Sequence, residues 1–227
     1  MAIPGDLEVV DDVPGAFSAR LIEAFGSRSH DGFSIALSGG DTARRCYECL
    51  ATSAGSQIDW WQVDIYWGDE RCVPHDDEAS NYRLAREALL DRVGAANATH
   101  LMRCAEGPDP YQLRLGDLGR IDLVHLGLGP DGHTASLFPG SPALDADPGR
   151  LVVLNHDPRG NNPHERMTLT FAGIARARQV IVTVEGEAKA EALAGVAAGQ
   201  GLPAERIEAD QVTWLVDAAA ASKLPGR

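Results

Sequence analysis

Lysine is nearly missing from this 227-residue chain: of 20 basic residues only Lys189 and Lys223 are lysine, and the rest are arginine. Long apolar runs are missing too. Nothing approaches the roughly 18 consecutive residues that a membrane-spanning helix requires, so a membrane span is excluded. There is no low-complexity tract, and with 44% hydrophobic residues disorder is excluded as the main state. The opening Met1-Ala2-Ile3-Pro4-Gly5-Asp6-Leu7-Glu8 has neither a basic stretch nor an apolar one, which predicts a soluble, cytoplasmic protein. Cysteine is scarce. Cys46, Cys49, Cys72 and Cys104 are too few for a disulfide scaffold at this length. Cys46-x-x-Cys49 with Cys72-x-x-His75 imitates a zinc-ribbon spacing, but the first pair falls within a helical stretch and the second flanks Pro74 in another unit. The thiols are therefore expected to be reduced and partly buried, with no metal.

What is abundant is acid. Against the 20 basic residues stand 33 acidic ones, a net charge of −13 that repels a phosphate backbone, so nucleic acid is disfavoured as a partner. An anionic ligand would have to be drawn to a local cationic spot, which makes the position of the rare lysines worth following.

Strand-like and helix-like segments alternate from end to end. Strands are predicted at Leu7–Val10, Phe33–Leu37, Val63–Trp67, Ile121–Leu126, Leu151–Leu154, Met167–Thr170, Val180–Val184 and Val212–Val216. Helices are predicted over about Pro14–Phe25, Thr42–Ala51, Tyr111–Leu118, Ala188–Ala198 and Ala218–Lys223, with one more opened by Ser80 or Asn81 and running to about Val93. Short, nearly continuous apolar strands separated by helices imply a three-layer α/β fold: a mainly parallel sheet covered on both faces. No linker or repeat divides the chain, so residues 1–227 are expected to form one domain. Ligands of such sheets sit beyond the carboxyl ends of the strands.

Three strand ends carry unusual residues. Ser38-Gly39-Gly40-Asp41-Thr42 joins a strand to a helix, where two glycines let the backbone approach a ligand and the helix start favours an anion. Asp41 would compete with a phosphate there unless it faces away. Asp69-Glu70-Arg71 follows Trp67-Gly68, where an ion-paired surface loop is the ordinary reading. Leu126-Gly127-Leu128-Gly129-Pro130-Asp131-Gly132-His133 presents a histidine beside an acid at the mouth of the sheet.

The last block, from Gly127 to Gly140, resembles the signature of the 6-phosphogluconolactonases, sugar-phosphate lactone hydrolases of the pentose phosphate pathway. Ser38-Gly39-Gly40-x-Thr42, Asp69-Glu70-Arg71-x-Val73-Pro74 with Ser80-Asn81, Glu165-Arg166-x-Thr168 and Gly186-x-x-Lys189 agree in order and spacing, so the likeness spans about residues 33 to 195. Three positions depart from the family pattern. Ala43 stands where proline is usual, Cys46 where leucine is commoner, and His125 in a strand position that is usually aliphatic. His125 is expected to be a partly buried strand residue and not a second base.

The resemblance implies a mechanism. His133 would take a proton from the water attacking the lactone carbonyl and return it to the ring oxygen, because an imidazole titrates near working pH. Asp131 would either orient that imidazole or simply form the turn with Gly132. Arg71 would stabilise the developing oxyanion. Ser38, Gly39, Gly40, Thr42, Asp69, Arg166 and Lys189 would bind the substrate, with Arg166 and Lys189 on its phosphate as fork and point charge. No covalent intermediate is implied, since no Gly-x-Ser-x-Gly elbow occurs. No metal or organic cofactor is called for, and the family habit suggests a monomer. Two rivals share the fold: a glucosamine-6-phosphate deaminase or isomerase, whose Asp-Gly-His block continues differently, and a non-enzymatic sugar-phosphate sensor fused to a DNA-binding module, for which no helix-turn-helix precedes Phe33.

Overall fold

Strands β2 (Phe33–Leu37) and β3 (Val63–Trp67) are apolar at almost every residue and buried along almost their whole length, as strands covered on both faces must be. They start where the sequence predicts and run in parallel, Phe33 beside Val63 and Leu37 beside Trp67. The computed structural model describes residues 3–53 and 56–225. In it β6 (Ile121–Gly127) lies on the other side of β2, followed outward by β9 (Ala177–Val184), β10 (Gln211–Val216) and the N-terminal β1 (Asp6–Val9). The two-residue β5 (Ala98–Thr99) closes the far edge beside β3, and all seven strands are parallel.

Helices α1 (Val13–Gly26) and α2 (Asp41–Ser53) pack on each other, and Phe17 and Tyr47 reach from them to His125 of β6. Asp12 caps α1 through the N–H of Gly15. Ser80 caps α3 (Asn81–Ala85), as its sequence suggests, and α3 then widens into a π-helical turn over Arg86–Leu90, ending before Val93. Helix α4 (Asp109–Leu118) leads into β6, the short α5 (Phe171–Ile174) leads into β9, and α6 (Ala190–Ala198) follows a 3-10 turn, Glu187–Lys189.

Two expectations need correcting. The segments at 151–154 and 167–170 are strands, as predicted, but they stand outside the parallel sheet: β7 (Val152–Asn155) and β8 (Arg166–Leu169) pair antiparallel with each other and, through β8, with the three-residue β4 (Asp69–Arg71). Short apolar strands look alike whatever their neighbour, and Asp-Glu-Arg has no apolar pattern to announce a strand. The cysteines also differ from the reduced state expected: Cys72 and Cys104, 32 positions apart, form a disulfide, while Cys46 is a buried free thiol and Cys49 a half-buried one. A pairing across two loops leaves no spacing signal. It also takes Cys72 out of the zinc-like set, and among the described residues no group of three or more His, Cys, Asp or Glu could hold a metal ion. No helix among them is long and apolar enough to cross a membrane.

From β2 the chain works outward to β5, then returns to β6 on the opposite side of β2 and works outward again. The carboxyl ends of β2 and β6 therefore flank the point where strand order reverses, and loops leaving adjacent strands there part and open a crevice.

Candidate active site

A cleft of about 170 Å³ occupies that crevice. It is lined by Ser38, Gly39 and Gly40 after β2, by Asp69 and Arg71 of β4, by the 127–138 loop after β6, and by Arg166 and Lys189.

The 127–138 loop holds His133 tightly. Gly132 donates to the carbonyl of Gly129 at 3.0 Å, and Gly129 to that of His133 at 2.8 Å. Gly132 needs its positive φ of 82° to make the turn. Gly129 is required for a different reason: a Cβ there would fall 2.1 Å from Nδ1 of His133, so the imidazole occupies the space a side chain would take. Phe138 meets the other part of the ring edge-on, with centroids 4.9 Å apart. Nδ1 of His133 lies 2.5 Å from Oδ1 of Asp131. Burial works to raise the Asp131 carboxyl, but the hydrogen bond and charge of His133 outweigh it and hold the group below the usual carboxylate range. The Asp131 carboxylate thus fixes the ring, accepting from Nδ1–H and leaving Nε2 as the basic nitrogen. Asp131 also accepts from the backbone N–H of His133 at 3.2 Å, so orienting the ring and forming the turn are one arrangement.

Three cations line the cleft without a carboxylate partner among the described residues. Arg166 is almost fully buried, its Nε donating to the carbonyl of His164 at 3.2 Å. Burial pulls its guanidinium below arginine's ordinary range, with Asp69 opposing and Arg71 adding to the fall. Arg71 stands directly across the β4–β8 ladder from Arg166 and donates to the carbonyl of Ala79 at 2.6 Å. Lys189 is half-buried at the start of α6, and burial lowers its ammonium too, with Asp131 and Asp41 pulling the other way. Lys223, by contrast, is exposed and paired with Glu191.

Other expected residues behave less simply. Asp69 and Glu70 are buried, not part of an ion-paired surface loop. Glu70 accepts from the N–H groups of Arg71, Asn81 and Tyr82 and from the Ser80 hydroxyl. Burial raises its carboxyl above the ordinary range in spite of those bonds. Asp69 accepts from the Ser136 hydroxyl at 2.6 Å and from Asn81 Nδ2 at 3.1 Å. Thr42 faces a second cavity of about 270 Å³, which shares Ser38, Gly39, Gly40 and Lys189 with the first and also holds Asp41. Asp41 is exposed at the first position of α2, and Gly40 before it has φ 93° with open space around it. His125 is fully buried, not partly: its ring nitrogens meet the Tyr47 hydroxyl and the Thr183 hydroxyl, both at 2.9 Å, and burial pushes its pKa down to about 3.

Sequence reasoning missed Asn81, Ser136, Phe138 and Asn162 as lining residues. The first three lie inside motif blocks already quoted, which was the available signal. Asn162 sits in a loop with none.

The family model described as glucosamine-6-phosphate isomerases/6-phosphogluconolactonase matches residues 8–215. A 6-phosphogluconolactonase of Mycobacterium leprae is 38% identical over 215 residues, covering 85% of each chain. One from Synechocystis is 36% identical, covering 91% of this chain and 90% of its own. Among solved structures, a 6-phosphogluconolactonase from Trypanosoma cruzi superposes with a TM-score of 0.84 at 27% identity, covering 99% and 98% of the two chains. A sheet with this switch point, a histidine–aspartate pair in its crevice and near-full-length likeness to those proteins have one explanation: the chain belongs to the glucosamine-6-phosphate isomerase/6-phosphogluconolactonase family.

Proposed function

We propose that the cleft hydrolyses 6-phospho-D-glucono-1,5-lactone to 6-phospho-D-gluconate, the lactone-opening step of the oxidative pentose phosphate pathway. The observation that carries this reading is the meeting, in one cleft of an acidic protein, of a carboxylate-oriented imidazole with three cations that have no carboxylate partner among the described residues. A lactone is an ester closed in a ring. Nε2 of His133 takes a proton from water as the water oxygen attacks C1, and the Asp131 carboxylate steadies the imidazolium that forms. Arg71 faces the developing oxyanion, and the proton passes from His133 to the ring oxygen as the C1–O bond breaks. Arg166 and Lys189 hold the phosphate dianion with the Ser38-Gly39-Gly40 turn, a buried fork and a point charge whose burial is compensated only when an anion arrives. Asp69, held by Ser136 and Asn81, borders the sugar, and Thr42 contributes from the adjoining cavity.

The working unit is one chain forming one domain, and the single apolar cluster from Val13 to Leu224 supports the single domain. A sugar phosphate does not cross membranes unaided, which supports a cytoplasmic enzyme working where its substrate is made. The deciding assay compares lactone consumption above the spontaneous rate with ammonia release from glucosamine 6-phosphate. Lactone turnover without ammonia, with kcat reduced about 10²- to 10⁴-fold in His133→Ala, supports the reading. Ammonia release, or a His133→Ala variant with wild-type kcat, overturns it.

A further inference from the structure

Asn81 is fully buried and lines the cleft, yet half of its amide is unmet. Nδ2 is engaged twice by Asp69, donating to its backbone carbonyl at 2.9 Å and to its Oδ1 at 3.1 Å. Oδ1 has no donor among the described residues. The amide cannot simply be turned over, because Oδ1 would then face two acceptors. Gly39 makes room for it: a Cβ on Gly39 would lie 1.8 Å from Oδ1, so this glycine of the turn serves Asn81. A buried acceptor left without a donor is costly, and the side chain is held in this pose by Asp69 on one side and by α3, whose first residue it is, on the other.

The chemistry of the lactone narrows what can meet that oxygen. Its phosphate, carbonyl and ring oxygens are acceptors, and its only neutral donors are the hydroxyls on C2, C3 and C4. The cleft's other buried carboxylate is already occupied, Oδ1 of Asp69 by Asn81 and Oδ2 by the Ser136 hydroxyl. Arg71, Arg166 and Lys189 are donors only. We propose that Oδ1 of Asn81 accepts a hydrogen bond from one ring hydroxyl of the substrate, making Asn81 a specificity-determining residue of the cleft. This rests on the lactonase reading above. A site built to pair with a hydroxyl rejects the analogue that lacks it, because the buried partner is again left unmet.

The test is a cycle between residue and hydroxyl. Wild type and Asn81→Ala are each assayed on 6-phosphogluconolactone and on its 2-deoxy, 3-deoxy and 4-deoxy analogues, corrected for spontaneous opening. One analogue is expected to lower wild-type kcat/KM about fivefold to tenfold, the worth of a neutral hydrogen bond. Asn81→Ala should lose at least as much on the parent lactone and lose nothing further on that same analogue. Two results overturn the proposal. Either wild type turns over all three analogues as well as the parent, or the variant's loss multiplies with every deoxy loss, which would mean that Asn81 acts only by placing Asp69. If Asn81→Ala does not fold, Asn81→Ser takes its place, and the wild-type arm decides against the proposal without any variant. A wild-type protein that fails to accelerate the parent lactone at all would instead sink the lactonase reading, so the two failures are distinct.

Discussion

At the scale of single residues, the His133 ring proposed as the base can be disabled without changing it. The His133 imidazole fills the space above Gly129 that a Cβ would need, with ring atoms 2.1 to 2.7 Å from that position. Gly129→Ala should therefore push the ring off Asp131 and lower kcat by about 10²-fold or more, since misplacement of about 1 Å costs that much. Circular dichroism should show an intact fold, and a variant with wild-type kcat would mean that the loop has room to spare. His125 makes the opposite point, a histidine that matters for stability and not for turnover. It is held neutral, with a folded pKa of about 3 against an ordinary 6.5. Its contribution is complete above about pH 6.5 and is lost as pH falls toward about 3, at a slope of up to ~1.4 kcal/mol per pH unit. Urea titrations between pH 7 and pH 4 should show that slope, and His125→Gln should flatten it while leaving kcat unchanged at pH 7.

Among elements, the β4–β8 ladder carries the tension of the site. Arg71 lies directly opposite Arg166, and like charges so placed oppose pairing. Arg166→Met should relieve that repulsion and the burial of a charge, giving equal or slightly greater stability, by about 1 kcal/mol or less. At the same time KM for the phosphorylated lactone should rise roughly tenfold to a hundredfold, while slow turnover of unphosphorylated gluconolactone is little changed. A KM that rose equally for both substrates would remove Arg166 from the phosphate. The Cys72–Cys104 bond closes a loop of 32 positions next to that ladder. A loop of that length is worth about 3–4 kcal/mol in the chain-entropy account, so dithiothreitol should lower Tm, and alkylation of the unfolded, unreduced protein should mark two cysteines of four. Four alkylated cysteines would show that the bond does not form. Much of this layout was legible beforehand. β2 and β3 could be bounded to the residue because they are buried on both faces and are followed within two residues by glycine, and Ser38, His133, Arg166 and Lys189 could be found through their motif blocks. The antiparallel sheet, the disulfide and the second role of Gly39 could not, since each is a contact between distant segments that leaves no periodic or spacing mark in either one.

For the whole molecule, the telling feature is that β1 pairs with β10 and not with β2, the next strand in the chain. Asp6 lies beside Thr213, Val9 beside Val216, and the Trp214 indole donates to the carbonyl of Pro4 at 2.9 Å. Every cleft residue falls between Ser38 and Lys189, so the chemistry is fully encoded well before the last strand. During synthesis, however, β1 must wait for about 200 further residues, roughly 10 to 40 s at ordinary elongation rates, before its partner emerges. Until then the outer edges of β1 and β9 stay open, and an open edge recruits other chains. A chain stopped after Arg206 would hold every residue of the cleft and still be expected to collect in the insoluble fraction, with no lactone turnover in the supernatant. Adding residues 207–225 back as a separate peptide should recover part of the activity if the missing strand is what was lacking. The stretch from 207 to 225, which adds nothing to the cleft lining, would then act as the timer that decides when the enzyme becomes one.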